Sequence, residues 1–153
     1  MKQFFKIFIL LLVISSCEEK KSSIIVSSNS ELEEALSNAK KGDNIVLKNG
    51  TYKDINIKFI GEGTENEPIT LSAETAGEVF IEGESSLELS GNYLQVRGLF
   101  FRNGHSPKKN VIAFRTSPKD VANHSPVTNC VILDFNNLER DQDPISVDFL
   151  LLL

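Results

Sequence analysis

Past Ser28 the spacing of apolar positions changes once along the chain. Between Ser30 and Gly42 they fall at Leu32, Ala35, Leu36 and Ala39, the i, i+3, i+4, i+7 pattern of one helical face. Ser30 with Glu33 three residues on reads as a capping box. Lys40 and Lys41 suit the negative end of the helix dipole, and Gly42 can take the left-handed conformation that ends a helix. The pattern predicts a helix of about ten residues. From there on the period drops to two. Short runs bounded by Gly, Asn, Asp, Ser or Pro predict strands centred on Ile45–Leu47, Ile55–Ile57, Ile69–Leu71, Val79–Ile81, Leu87–Leu89, Leu94–Val96, Leu99–Phe101, Val111–Phe114 and Val127–Leu133.

These strands recur. Ile45 to Ile69 spans 24 residues, Ile69 to Leu94 spans 25, and Ile55 to Val79 spans 24. A period in the low twenties with several small strands in it is what a solenoid requires, each coil burying its apolar side chains on the coil below. The expected fold class is therefore all-β, a right-handed parallel β-helix with an N-terminal capping α-helix. A β-sandwich is the structural rival, but it favours longer, evenly alternating strands about 8–12 residues apart. The helix favours the solenoid, because an open β-helix end exposes core and unpaired strand edges that an amphipathic helix would cover.

The N-terminus has a different character. Lys2 and Lys6 precede the apolar run Ile7–Ile14, followed by Ser15, Ser16 and Cys17, an export signal in outline. The run is too short for a bilayer core, which needs about 20 residues. Ile14-Ser15-Ser16-Cys17 resembles a bacterial lipobox, in which the cysteine thiol is acylated and becomes the first residue; more than one acyl chain gives a stable anchor. The alternative is an ordinary cleaved signal with an incidental cysteine. The organisation expected is a signal peptide over 1–16, lipidated Cys17 and a flexible tether over 17–27, β-helix coils over 28–143, and an aberrant apolar tail over 144–153. Such a chain is exported, as an outer-membrane lipoprotein facing the periplasm or the cell surface. Cys130 is then a lone thiol, read as a buried small apolar residue, and no intrachain disulfide is expected.

Composition narrows the function. The 153 residues, 41% apolar and 24% charged, fit one modest domain, and 16 basic against 21 acidic residues leave a net charge of −5. A generally basic nucleic-acid binder is excluded. The charges are segregated: Arg97, Arg102, Lys108, Lys109, Arg115 and Lys119 form a run without an acid. A polyanion would be drawn to such a stretch despite the negative total, and Lys108, Lys109 and Arg115 are the candidate polyanion contacts.

Several stretches together resemble the N-terminal coils of polysaccharide lyase family 6, the alginate lyase and chondroitinase B family. They are Ala39 to Tyr52 (Ala-Lys-Lys-Gly-Asp-Asn-Ile-Val-Leu-Lys-Asn-Gly-Thr-Tyr), Gly63 to Thr75, Gly98 to Gly104, Asn123 to Ile132, Phe135-Asn136-Asn137 and Arg140-Asp141. The first two mainly specify the fold, and the later ones in order narrow it to the family. The resemblance implies cleavage of a uronic-acid polysaccharide, alginate foremost, by β-elimination. It implies a Ca²⁺ ion that neutralises the substrate carboxylate, a lysine that takes the C5 proton, and an arginine that assists the leaving oxygen. The chemistry is coherent, since a proton beside a carboxylate is very weakly acidic until a hard cation offsets the enolate charge. In family members those groups lie on later coils, so no catalytic residue and no metal ligand is carried onto this chain, and the stretch after Asp143 departs from the family pattern. An apolar tail with no polar cap is the expectation for a coil stack interrupted by a premature stop or frameshift; a genuine last strand on the final coil is the alternative.

Other constellations carry less. Asp141-Gln142-Asp143 supplies two carboxylates where calcium takes about 6–8 oxygens. His105 and His124 have no metal-ligand spacing and read as loop residues, and Asn49-Gly50-Thr51 and Asn123-His124-Ser125 read as turns. No phosphate loop, nucleophile elbow or catalytic Cys-His signature appears. Two functional readings result: an exported uronate-polysaccharide lyase of which this chain holds the N-terminal coils without the catalytic ones, or a non-catalytic carbohydrate-binding or structural β-helix lipoprotein.

Overall fold

The computed structural model describes residues 23–136. The described residues open with β1 (Ser23–Val26) and the helix α1 (Asn29–Ser37). A first coil follows, made of β2 (Asn44–Leu47), β3 (Gly50–Lys53) and β4 (Asn56–Glu62); the second is β5 (Ile69–Ala73), β6 (Val79–Glu84) and β7 (Ser86–Asn92). The third is β8 (Leu94–Arg97), β9 (Leu99–His105), β10 (Ile112–Ala113) and β11 (Ala122–Asn123), and β12 (Val127–Thr128) and β13 (Val131–Asn136) begin a fourth. Every strand pairs in parallel with a strand one coil away. Sheet A runs β1-β2-β5-β8-β12 and sheet B runs β3-β6-β9-β13. In sheet C, β4 lies on one side of β7, with β10 and β11 on the other. This is the parallel β-helix expected from the pattern, and no antiparallel sandwich pairing joins the named strands.

Alternation points every second side chain inward, and register stacks these into columns. Ile45, Leu71, Val96 and Val127 form one in sheet A. Tyr52, Ile81, Phe101 and Ile132 form another in sheet B, and Ile57, Leu87 and Ile112 a third in sheet C. Ile45, Leu71, Val96, Ile81, Phe101 and Leu87 are all 0% exposed. Each such side chain contributes roughly 1.5–3 kcal/mol by leaving water. Phe101 and Phe135 meet edge to face across the third and fourth coils, ring centres 5.6 Å apart.

The stacking corrects the expected period in places. Ile69 pairs with Leu94 as anticipated, but Ile45 pairs with Leu71, and Val79 pairs with Gly50 and Leu99 in sheet B, whereas Ile55 only leads into the sheet C strand β4. Corner lengths differ from coil to coil, which a fixed count along the chain cannot follow. Two further elements, β3 and β11, were not expected as strands. The run Val127–Leu133 divides at Asn129, whose φ of 53° turns the chain from sheet A to sheet B. The run Val111–Phe114 keeps only Ile112 and Ala113 in the sheet.

The N-terminal end is closed on all three sides. Residues 23–26, expected as the end of a tether, instead form β1 and pair with β2 in register. Asn29 Nδ2 donates to the Lys53 carbonyl at the end of β3 (2.9 Å). Helix α1 packs on β4, β1 and β2, burying Leu32, Ala35 and Leu36. Its N-cap is Ser28, not Ser30: Ser28 Oγ accepts from the Glu31 N–H, and Glu31 accepts from the Ser27 N–H (2.7 Å) and hydroxyl (2.9 Å). Ser-x-x-Glu occurs twice, two residues apart, and the earlier copy caps because it leaves the apolar stripe facing the coil. The helix ends at Ser37, so Ala39, Lys40 and Lys41 lie beyond it. Gly42 does take a left-handed φ of 84°, but to make a corner whose N–H donates to the Glu67 carbonyl of the next coil (3.2 Å). The signal segment 1–16, Cys17, Asp141–Asp143 and the tail 144–153 lie outside the described residues.

Candidate functional site

The outward rows of a β-helix are the surface available for recognition. On sheet A, one row runs Ser23, Asn44, Thr70, Gln95 and the next runs Ile25, Val46, Ser72, Arg97, Thr128. Ser23, Gly42, Asn44, Pro68, Thr70, Ser72 and Arg97 line a trough of about 370 Å³. Its chemistry is hydroxyl, amide and one guanidinium. Ser72 Oγ and Asn44 Oδ1 lie 3.1 Å apart, and an Arg97 Nη2 hydrogen is given to Gln95 Oε1, which fixes the guanidinium against its own strand. Among the described residues no carboxylate lies within ion-pair distance of Arg97.

Sheet B presents a different surface. Arg102 donates from Nε to Glu82 (2.8 Å), and its guanidinium lies 3.4 Å from the centre of the Phe80 ring, with Phe100 beside it. The Arg102 hydrogen bond holds the Glu82 carboxyl below its usual range. The cation is thus committed to a carboxylate and an aromatic face.

On sheet C the third coil is interrupted. β10 covers Leu87 and Glu88 and β11 covers Gly91 and Asn92, with the segment between them leaving the sheet and returning through an Arg115–Val121 bridge. Lys108 Nζ is 2.8 Å from both oxygens of Glu88, whose side chain is only 9% exposed, and Thr116 Oγ1 lies 3.0 Å from Ser90 Oγ. The basic run seen along the chain therefore does not make one patch. Each coil sends its successive strands to three faces, which puts Arg97 on sheet A, Arg102 on sheet B and Lys108 beside sheet C. Of the three candidate polyanion contacts, Lys108 is bound to Glu88, Lys109 is exposed on the segment before β10, and Arg115 is exposed on the segment between β10 and β11.

His105 is the last residue of β9 rather than a loop residue, whereas His124 lies in the bend after β11. His105 lies 3.9 Å from Glu84, and the ring of His124 stacks on Tyr93 with centres 4.8 Å apart. Cys130 is buried and free, and burial raises its pKa. The triplets read as turns lie only partly outside the strands: Gly50 and Thr51 open β3 and Asn123 ends β11, while Asn49 bonds to Thr75 at the corner and His124 has a φ of 51°. No group of three or more His, Cys, Asp or Glu among the described residues is placed to hold a metal ion. The sequence marks Arg97 only as one member of the basic run and does not mark the polar row beside it, although Thr70-x-Ser72 and Gln95-x-Arg97 carry the signal, alternating with buried Leu71 and Val96.

The family model for chondroitinase B matches residues 26–150. Among solved structures, the PL6 family alginate lyase AlyGC is 44% identical over 72% of this chain, with a TM-score of 0.71. The PL6 family polysaccharide lyase Pedsa3628 from Pseudopedobacter saltans is 37% identical over 75% of the chain, with a TM-score of 0.67. A mannuronic acid specific family 6 lyase from human gut microbiota is 30% identical over 72%, with a TM-score of 0.66. The chain spans only 15%, 25% and 26% of those three proteins respectively. No curated protein matches the chain at a significant level.

Proposed function

The chain belongs to the chondroitinase B family, and from that premise we propose that it is the N-terminal portion of an exported polysaccharide lyase acting on a uronic-acid polymer, alginate foremost. The observation that supports this most is the 44% identity to an alginate lyase across 72% of the chain. The lyase chemistry breaks a glycosidic bond by removing the proton beside the sugar carboxylate and leaves a carbon–carbon double bond. A calcium ion, in such an enzyme, would neutralise that carboxylate. The described residues gather no ligand set for it.

In this reading the described coils form the capped base of the solenoid and contact polymer rather than cleave it. Lys109, on the segment before β10, and Arg115, on the segment between β10 and β11, remain candidate contacts, and Lys108 is structural. Cys17 carries the lipid that holds the chain at the outer membrane, on the periplasmic or the external side. The second reading, a non-catalytic carbohydrate-binding lipoprotein, is favoured by the sheet A trough, which holds binding groups and no acid–base pair.

One preparation tests both: the chain from residue 17, with Cys17→Ser to keep it unlipidated, run through gels containing alginate or neutral mannan, and incubated with alginate and Ca²⁺. Retardation by alginate alone and no rise in ultraviolet absorbance are expected. Indifference to every uronate polymer would overturn the substrate class. Accumulation of unsaturated product would overturn the assignment of these coils as non-cleaving.

A further inference from the structure

We propose that the trough on sheet A is a subsite for a carboxylate-bearing sugar residue of a linear polymer, with Arg97 as the carboxylate contact. The proposal rests on the uronate reading above for its substrate class and on the geometry of this face for its location.

Three features support it. Neutral polar side chains stand in register on successive rungs, Ser23 to Asn44 to Thr70 to Gln95, and rungs of a parallel sheet are roughly 4.8 Å apart. That repeat is close to the advance per residue of an extended 1,4-linked pyranose chain. A polymer lying along the solenoid axis therefore meets a fresh hydroxyl or amide at each sugar. Asn44 uses its Oδ1 toward Ser72, which leaves the Nδ2 hydrogens as donors.

Second, the cation on the adjacent outward row is available and oriented. Arg102 is bound to Glu82, and Lys108 to Glu88. Arg97 is exposed, gives a side-chain hydrogen bond to the neutral Gln95 amide and to no other described residue, and keeps the rest of its planar fork for a carboxylate, which that fork matches.

Third, the acids at the rim are already engaged. Lys41 Nζ lies 2.7 Å from Glu67, and the Asp43 carboxylate accepts the Lys40 N–H at 2.8 Å. A polyanion lying along β2, β5 and β8 meets Arg97 with no carboxylate within ion-pair distance of it among the described residues. One cation amid neutral donors suits a singly charged sugar carboxylate better than a doubly charged phosphate, which gathers several cations.

Affinity electrophoresis of the chain from residue 17, carrying Cys17→Ser, against alginate tests this with Arg97→Gln, Arg97→Lys and a charge control on sheet C, Lys58→Gln. Arg97→Gln should weaken retention about tenfold, as loss of one charge-assisted hydrogen bond does, with Arg97→Lys intermediate and Lys58→Gln near wild type. Neutral mannan should retain none of them. If the parent binds alginate and Arg97→Gln binds equally well, the subsite is refuted and the substrate reading stands. If Lys58→Gln weakens retention as much as Arg97→Gln, the effect is net charge and the subsite is again refuted. If the parent itself ignores alginate, substrate reading and subsite fall together. Arg97 is at the surface, so matched thermal melts are expected for all variants.

Discussion

Glu88 points outward from β7, yet its side chain is 9% exposed because the segment that follows β9 lies over it and delivers Lys108 to both of its oxygens at 2.8 Å. Lys108 is 46% exposed. Exposed ion pairs are worth about 0–1 kcal/mol, and removing one partner of a fully buried pair costs about 3–5 kcal/mol. With one partner buried and the other half in water, Lys108→Ala should cost roughly 1–2 kcal/mol, most of it from leaving the Glu88 carboxylate unpaired out of solvent. For a domain of this size that lowers the melting temperature by roughly 4–8 °C. Glu88→Gln in the Lys108→Ala background removes the stranded charge and should recover more than half of the loss, which a double-mutant cycle by urea or thermal denaturation measures. Alginate retention should change little, since this cation is already taken. A Lys108→Ala variant that melts with the parent but loses alginate retention would refute the reasoning and return Lys108 to the polymer-binding surface.

Two further predictions concern the coil stack. Gly91 has a φ of 112°, and a Cβ there would stand 1.9 Å from the Gly61 carbonyl oxygen of the coil below; Gly91→Ala should cost about 1–3 kcal/mol in urea unfolding, and a neutral outcome would contradict the tight approach of β4 and β7. Because Arg102 lowers the Glu82 pKa from 4.5, Glu82 contributes stability that is present above that value and lost as pH falls through the depressed one. Glu82→Gln should therefore be destabilised relative to the parent at pH 7, with the gap closing in acid; a pH-independent gap in melting temperature would refute the assignment.

The residues that face the core announce themselves locally. Strict alternation in Ile69-Thr70-Leu71 or Leu94-Gln95-Val96 marks which side chains turn inward whatever they meet there, because side-chain direction in a strand depends only on parity. The helix stripe at Leu32, Ala35 and Leu36 is local in the same sense. The family resemblance is also carried by contiguous residues, and the comparisons with the PL6 lyases agree with it.

Partnership across coils is not local. Which residue stacks on Ile45 depends on how many residues the intervening corners hold, and those corners vary, so the column runs to Leu71 rather than Ile69. Ser23–Val26 looks like a tether until β2 offers it an edge to pair with. The run of basic residues looks like one patch until the coil distributes Arg97, Arg102 and Lys108 over three faces and two of them find carboxylates. The amino-acid sequence by itself determined an apolar spiral with a helical lid. Only the tertiary structure decided which polar groups lie side by side on its surface, because in a solenoid adjacency in space is separated by a full turn of chain.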